Sequence, residues 1–223
     1  MFKKIILPLI FGLGGAAILI SLGTWQLQRL NWKETVLAEI DTRIKAAPVI
    51  VPATPSEAKD QYLPVKAIGR ITDQELTFLA STKKLGASYR IVSVFETGGR
   101  RLMLDRGFVP ITAKDSLRPP VEAAIIGNLH WPDEITSSTP EPDLKADIWF
   151  GRDIPEMAKA LQTEPVLIVL RETSEADPVT TAFPVDSASI PNDHLEYVLT
   201  WFGLAIVWLG MTVFFMWRIN RRP

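Results

Sequence analysis

Apolar and polar positions divide the chain into three stretches. Ile5 to Trp25 contains no charged residue, and neither does Tyr197 to Trp217; each run is 21 residues long. About 20 helical residues cross the hydrocarbon core of a bilayer, so each run predicts a transmembrane helix. Beyond Trp25, the apolar residues Leu30, Leu37, Ile40 and Ile44 keep a helical spacing, with Lys33, Glu34, Glu39 and Arg43 off the stripe. The first helix is therefore expected to leave the bilayer and continue to about residue 46. Pro48, Pro52 and Pro55 then stop it and predict an extended linker.

The middle stretch changes period. Gln61 to Ile71, Leu76 to Ala80, Tyr89 to Phe95, Arg101 to Val109 and Ala123 to Trp131 read as strands. Gly98-Gly99 predicts a tight hairpin turn between the third and fourth. Asp153 is placed to cap a short helix that has Pro155 just inside and runs to about Gln162. Val166 to Arg171 is a compact apolar run suited to a buried strand, and residues 173–190 read as a loop. These elements predict an α+β membrane protein. Two transmembrane helices flank an exported, antiparallel β-rich domain of barrel-like form. The expected division is a cytoplasmic tip (1–4), a first transmembrane helix (5–26), the exported domain (47–193), a second transmembrane helix (194–217) and a cytoplasmic tail (218–223).

Charge orients this plan. Lys3 and Lys4 precede the first span, and Arg218, Arg221 and Arg222 follow the second. Short basic flanks stay cytoplasmic, so both termini are expected inside and the domain outside. Five of the 24 basic residues lie at these tips; the other 19 face 25 acidic residues, a net −6. A domain of that sign is not built to contact phosphate backbones, which excludes nucleic acid as a partner. Ser21 and Gly23 also leave open a cleaved signal peptide, but the apolar run is longer than a signal core. There is no cysteine, which excludes disulfides, thiolate metal ligation and covalent haem attachment. The exported part must be held by its own core, which about 170 residues can supply.

Chemistry-bearing residues are few. Of the two histidines, His194 lies at the outer end of the second span, with Tyr197 and Trp201 at i+3 and i+7 on the same face. That face is either an interfacial aromatic belt or a ligand surface for a metal or haem iron. His130, near a strand end, reads as a surface or turn residue. At the exit of the first span lie Trp25, Gln26, Arg29, Leu30, Trp32 and Lys33. Arg29 and Lys33 either contact lipid headgroups or form a fork for carboxylates such as haem propionates. Gly12, Gly14, Gly15, Ala16 and Ala17 would permit close contact between the spans. Asp133, Glu134, Glu141 and Asp143 read as a solvated acidic loop. No nucleophile elbow, Walker loop or dinucleotide fingerprint occurs, so no catalytic residue is assigned and the chain is not read as an enzyme.

Several ordered blocks resemble the Surfeit locus protein 1 family, called Shy in yeast. Leu22-Gly-Thr-Trp-Gln-Leu-Gln-Arg29 with Trp32-Lys33 is similar to that family's first-helix exit. Tyr62-Leu-Pro-Val65 with Gly69, Tyr89 to Phe95, Asp105-Arg-Gly-Phe-Val-Pro110, Gly127-Asn-Leu-His-Trp-Pro132 and Ile148-Trp149 through Met157-Ala158 resemble its successive domain blocks. Asn192-Asp-His-Leu-Glu-Tyr197 with Thr200-Trp-Phe-Gly-Leu-Ala205 resembles its second-helix signature. Asp193 stands where the family usually has Asn, and His130 where it usually has Arg; the stretch from Asp177 to Ile190 matches poorly. The resemblance implies an assembly factor for haem-copper cytochrome c oxidase in the bacterial inner membrane, with the central domain periplasmic. It implies transient binding of haem a through His194, Trp25, Gln26 and Arg29, with Tyr197 and Trp201 lining the same face. The oxidase core subunit would be the partner, with haem a synthase a further candidate and the lipid bilayer the setting. The alternatives are a membrane-tethered scaffold that stabilises an oxidase intermediate without haem, and an exported metal-dependent hydrolase.

Overall fold

A computed structural model describes residues 2–82 and 86–221. The chain forms two compact units, Met1–Glu39 with Ser187–Pro223, and Ile40–Asp186.

The first unit is a helix pair. Helix α1 (Phe2–Ile44) passes into the second unit for its last turn, and α4 (His194–Asn220) closes the chain. Both are long and apolar enough to cross a membrane. Among the described residues of α1 up to Glu39, the buried positions are Gly12, Ala16, Gly23, Gln26 and Leu30. Their spacings of 4, 7, 3 and 4 trace a seven-residue repeat, the pattern by which one helix face forms a seam with a second helix. Val198 and Ala205 lie one repeat apart on α4. The glycines matter at two points of this seam. A Cβ on Gly12 would overlap Thr212, and one on Gly15 would come within 2.5 Å of the Trp208 indole. The Trp208 Nε1–H donates to the Gly12 carbonyl at 2.9 Å. Ile10, Ile18, Leu199 and Ile206 are exposed, an apolar surface of the kind lipid would cover.

The second unit is built on a six-stranded sheet: β1 (Val49–Ile50), β2 (Pro64–Thr82), β3 (Gly86–Thr97), β4 (Arg100–Pro110), β5 (Val121–Leu129) and β6 (Leu167–Thr173). Helix α2 (Glu57–Asp60) precedes β2, and α3 (Ile154–Leu161) precedes β6. The strands pair in the order β1-β2-β3-β4-β6-β5, and β5 pairs again with β2. Gly98 and Gly99, at φ +56° and +77°, make the β3–β4 turn; two consecutive positive φ angles are what a two-residue hairpin loop requires.

Three expectations need correction. The sheet is mixed, because β1 runs parallel to β2 and β6 parallel to β4. The chain passes through β5 and α3 before β6, and that crossover lets β6 enter beside β4 in the same direction. The two strands expected at Gln61–Ile71 and Leu76–Ala80 are one. The polar Thr72-Asp73-Gln74 step is a bulge rather than a turn; β2 pairs with β5 up to Ile71, with both β5 and β3 at Arg70 and Ile71, and with β3 alone beyond the bulge. The first residues of the expected linker, Val49 and Ile50, are β1.

Alternate residues of the central strands serve two cores. Met103, Leu167 and Val169 join Leu76, Phe78 and Val92 against Trp149 and the apolar face of α3 (Ile154, Met157, Ala158, Leu161). Leu102, Leu104, Ile168 and Leu170 join Val65, Ile71, Phe95, Ile125 and Leu129. Burial on both faces explains why Val166 to Leu170 is apolar without alternation. Helix α3 is capped as its sequence predicts: the Asp153 carboxylate accepts from the Glu156 N–H at 3.1 Å, and Gln162 ends the helix at φ 54°.

Candidate functional site

The polar residue of the α1 seam is Gln26, which is buried. A buried amide needs a partner, and it finds one on the other helix: Gln26 Oε1 lies 2.8 Å from His194 Nδ1. Of the residues expected to form a site, these two are in direct contact. His194 is the first residue of α4 and is half-buried. Trp201 sits two turns further along the same side of α4 and is also half-buried, whereas Tyr197 and Trp25 are each about half exposed. Arg29 does not point its charge at a carboxylate; its guanidinium carbon lies 4.3 Å from the centre of the exposed Trp32 ring. Among the described residues Arg29 enters no ion pair, so the guanidinium retains donors for an incoming carboxylate or phosphate. Asn192 Oδ1 is buried, with no hydrogen-bond partner among the described residues.

The β unit holds charges that the sequence reading missed. Asp105 is fully buried in β4, with Oδ2 2.7 Å from Arg90 Nε and 2.8 Å from Arg152 Nη1. Arg152 continues to Glu134, whose oxygens accept from Nε at 3.1 and 3.2 Å and also from Nη2. Burial alone would raise the Glu134 carboxyl, but the hydrogen bonds and charge of Arg152 outweigh it and hold it below the usual range. Glu134 lies in an exposed loop, as expected, but it is also half of an ion pair whose other half, Arg152, is buried. The sign in the sequence was an Asp-Arg pair inside an apolar strand, since carboxylates are almost never buried unpaired. Gly107 (φ +95°) follows, and any side chain there would strike the Thr181 carbonyl.

His130 also departs from expectation. It is half-buried and stacks on Tyr62, with ring centroids 5.6 Å apart. Its Nδ1 is buried without a partner among the described residues. Burial pushes the imidazole down to about 4, and the charges of Arg152 and Arg90 add to the effect. No group of three His, Asp or Glu able to hold a metal ion occurs among the described residues.

Two helices of membrane-spanning length flanking a β-rich unit in the sequence, with one buried polar pair joining the helices, define the class of this molecule: a mixed α+β protein with a helix pair and a separate β-rich unit. The profile of the SURF1 family matches residues 13–206, taking in most of α1, the whole sheet and the first half of α4. The chain belongs to the SURF1 family. It is similar to Surfeit locus protein 1 of Rattus norvegicus, at 27% identity over 82% of this chain and 67% of that protein. The Homo sapiens protein of the same name is 28% identical over 82% of this chain and 69% of its own length. A SURF1-like protein of Rickettsia felis is 29% identical over 85% of this chain and 88% of that protein.

Proposed function

We propose that this chain is a membrane-held assembly factor for haem-copper cytochrome c oxidase. In this reading it binds haem a at the Gln26–His194 end of its helix pair and assists its insertion into the oxidase core subunit. Membership of the SURF1 family, known for cytochrome oxidase assembly factors, supports the first part. The observation that carries the second is the Gln26–His194 contact, which ties an imidazole to the level of Arg29. The residues suit an amphipathic planar cargo. The imidazole is an axial ligand for iron, and the exposed rings of Trp25 and Tyr197 offer apolar surface. Arg29 suits the propionates, because a guanidinium matches a carboxylate in two places. The molecule acts as a binder, holding and orienting its cargo without bond chemistry of its own.

In the same reading, the helices span the bacterial inner membrane with both termini cytoplasmic and the β unit in the periplasm. The repeated pairing of β2 with β3 and β5 supports the barrel-like form of that unit. The scaffold reading keeps one specific support, since a single polar pair at a helix seam can serve only to fix register. The test is to purify wild type and His194→Ala from cells that make haem a and compare haem per protein and the Soret position. Lower occupancy or a shifted Soret band in the variant is expected. A colourless wild-type protein would favour the scaffold, and identical spectra would reduce His194 to part of an aromatic belt.

A further inference from the structure

We infer that Gln26 is a positioning residue that fixes the tautomer of His194, so that Nε2 is the nitrogen offered to iron. The inference rests on the haem reading above and assigns Gln26 a role that does not require it to touch the cargo. Gln26 Oε1 faces His194 Nδ1 at 2.8 Å. An amide oxygen only accepts, so the hydrogen between the two atoms belongs to Nδ1. A neutral imidazole carries one ring hydrogen. With that hydrogen on Nδ1, the Nε2 lone pair is open and lies on the side of the ring away from Gln26. Metal-binding histidines are commonly held this way, the second nitrogen donating to a carbonyl or carboxylate that fixes ring orientation and raises ligand basicity. Here the acceptor comes from a different helix, 168 residues away in sequence. Gln26 is itself buried, so water has little access to compete for it. The ligand nitrogen is therefore defined only when α1 and α4 are in register.

A simple register lock would need a hydrogen bond in either direction, whereas the tautomer role needs an acceptor at position 26. Three variants of the full chain in lipid nanodiscs separate these: Gln26→Glu, which only accepts; Gln26→Met, of similar length with no such bond; and His194→Ala. The readouts are the imidazole 15N shifts of the haem-free protein, haem a titration, and the midpoint potential of the bound haem. With two histidines in the chain, the alanine variant assigns the His194 signals. Wild type is expected to show Nδ1–H. The methionine variant is expected to lose that preference and to bind haem a roughly ten- to a hundredfold more weakly. The glutamate variant should keep Nδ1–H and its affinity, with a lower midpoint potential, because an anionic acceptor makes the imidazole a stronger donor. An Nε2–H wild type, or a methionine variant with unchanged affinity, overturns the inference. So does a glutamate variant that fails as the methionine variant does, since an acceptor at position 26 is then not what the site requires. His194→Ala binding as tightly as wild type overturns the haem-ligand reading itself, whatever the tautomer.

Discussion

At the scale of single residues, charge placement makes the sharpest predictions. Replacing Arg29 by Ala should weaken haem a binding about ten- to a hundredfold, because a charged hydrogen bond contributes roughly 1.5–3 kcal/mol. Lysine should restore binding only in part, since it lacks the planar fork. Unchanged occupancy at equal protein level would return Arg29 to headgroup contact. Asp105→Ala removes the carboxylate shared by the buried Arg152 and the half-buried Arg90, and breaking a buried pair costs about 3–5 kcal/mol. Chemical denaturation of the detergent-solubilised chain should show that loss. His130 gives a pH dependence. Its folded value, about 4, lies below the ordinary 6.5, so between the two the unfolded chain binds more protons. Its contribution is intact above pH 6.5 and is lost as pH falls towards 4. The loss totals roughly 2–3 kcal/mol after allowing for partial exposure. His130→Phe keeps a ring against Tyr62 and removes the proton site, so its stability should fall less over that window. Parallel curves for the two proteins would show that His130 does not titrate differently on folding.

At the scale of elements, the helix seam predicts a position-specific effect of one chemical change. Gly12→Val meets Thr212, whereas Gly14 has nothing within 4 Å of an added Cβ. The Gly12 variant should melt at a lower temperature and retain less haem, and Gly14→Val should resemble wild type. Equal behaviour would mean that the two helices do not pack through this seam. The membrane-length helices, the Gly98-Gly99 hairpin and the α3 cap were legible in sequence, because each is written in contiguous residues under a local rule. The parallel entry of β6 beside β4 was not legible, since a strand's own pattern does not name its neighbour. The bulge in β2 was hidden for a related reason: three polar residues mark a turn or a change of partner equally well. For the site, His194 and Gln26 could each be singled out, but their contact crosses 168 residues, and no spacing rule reaches that far. The ion pairs around Asp105 join four separate segments and left only the buried carboxylate as a trace.

At the scale of the molecule, the basic tips and acidic middle predict that a reporter fused after Pro223 is active only in the cytoplasm, and one inserted near Ser56 only outside. An externally active C-terminal fusion would contradict the two-span plan. The pairing of α1 with α4 also has a consequence in time. At synthesis rates of about 5–20 residues per second, roughly ten to thirty seconds separate the making of Gln26 from the making of His194. Through that interval α1 presents glycines and a lone amide with nothing to receive them, while the intervening chain emerges and folds. A stalled or truncated chain would carry Arg29 and Trp25 yet have no imidazole beside them. On the haem reading proposed above, competence to take up cargo would therefore belong to finished molecules, and a half-made chain would not capture a haem it has no means to pass on.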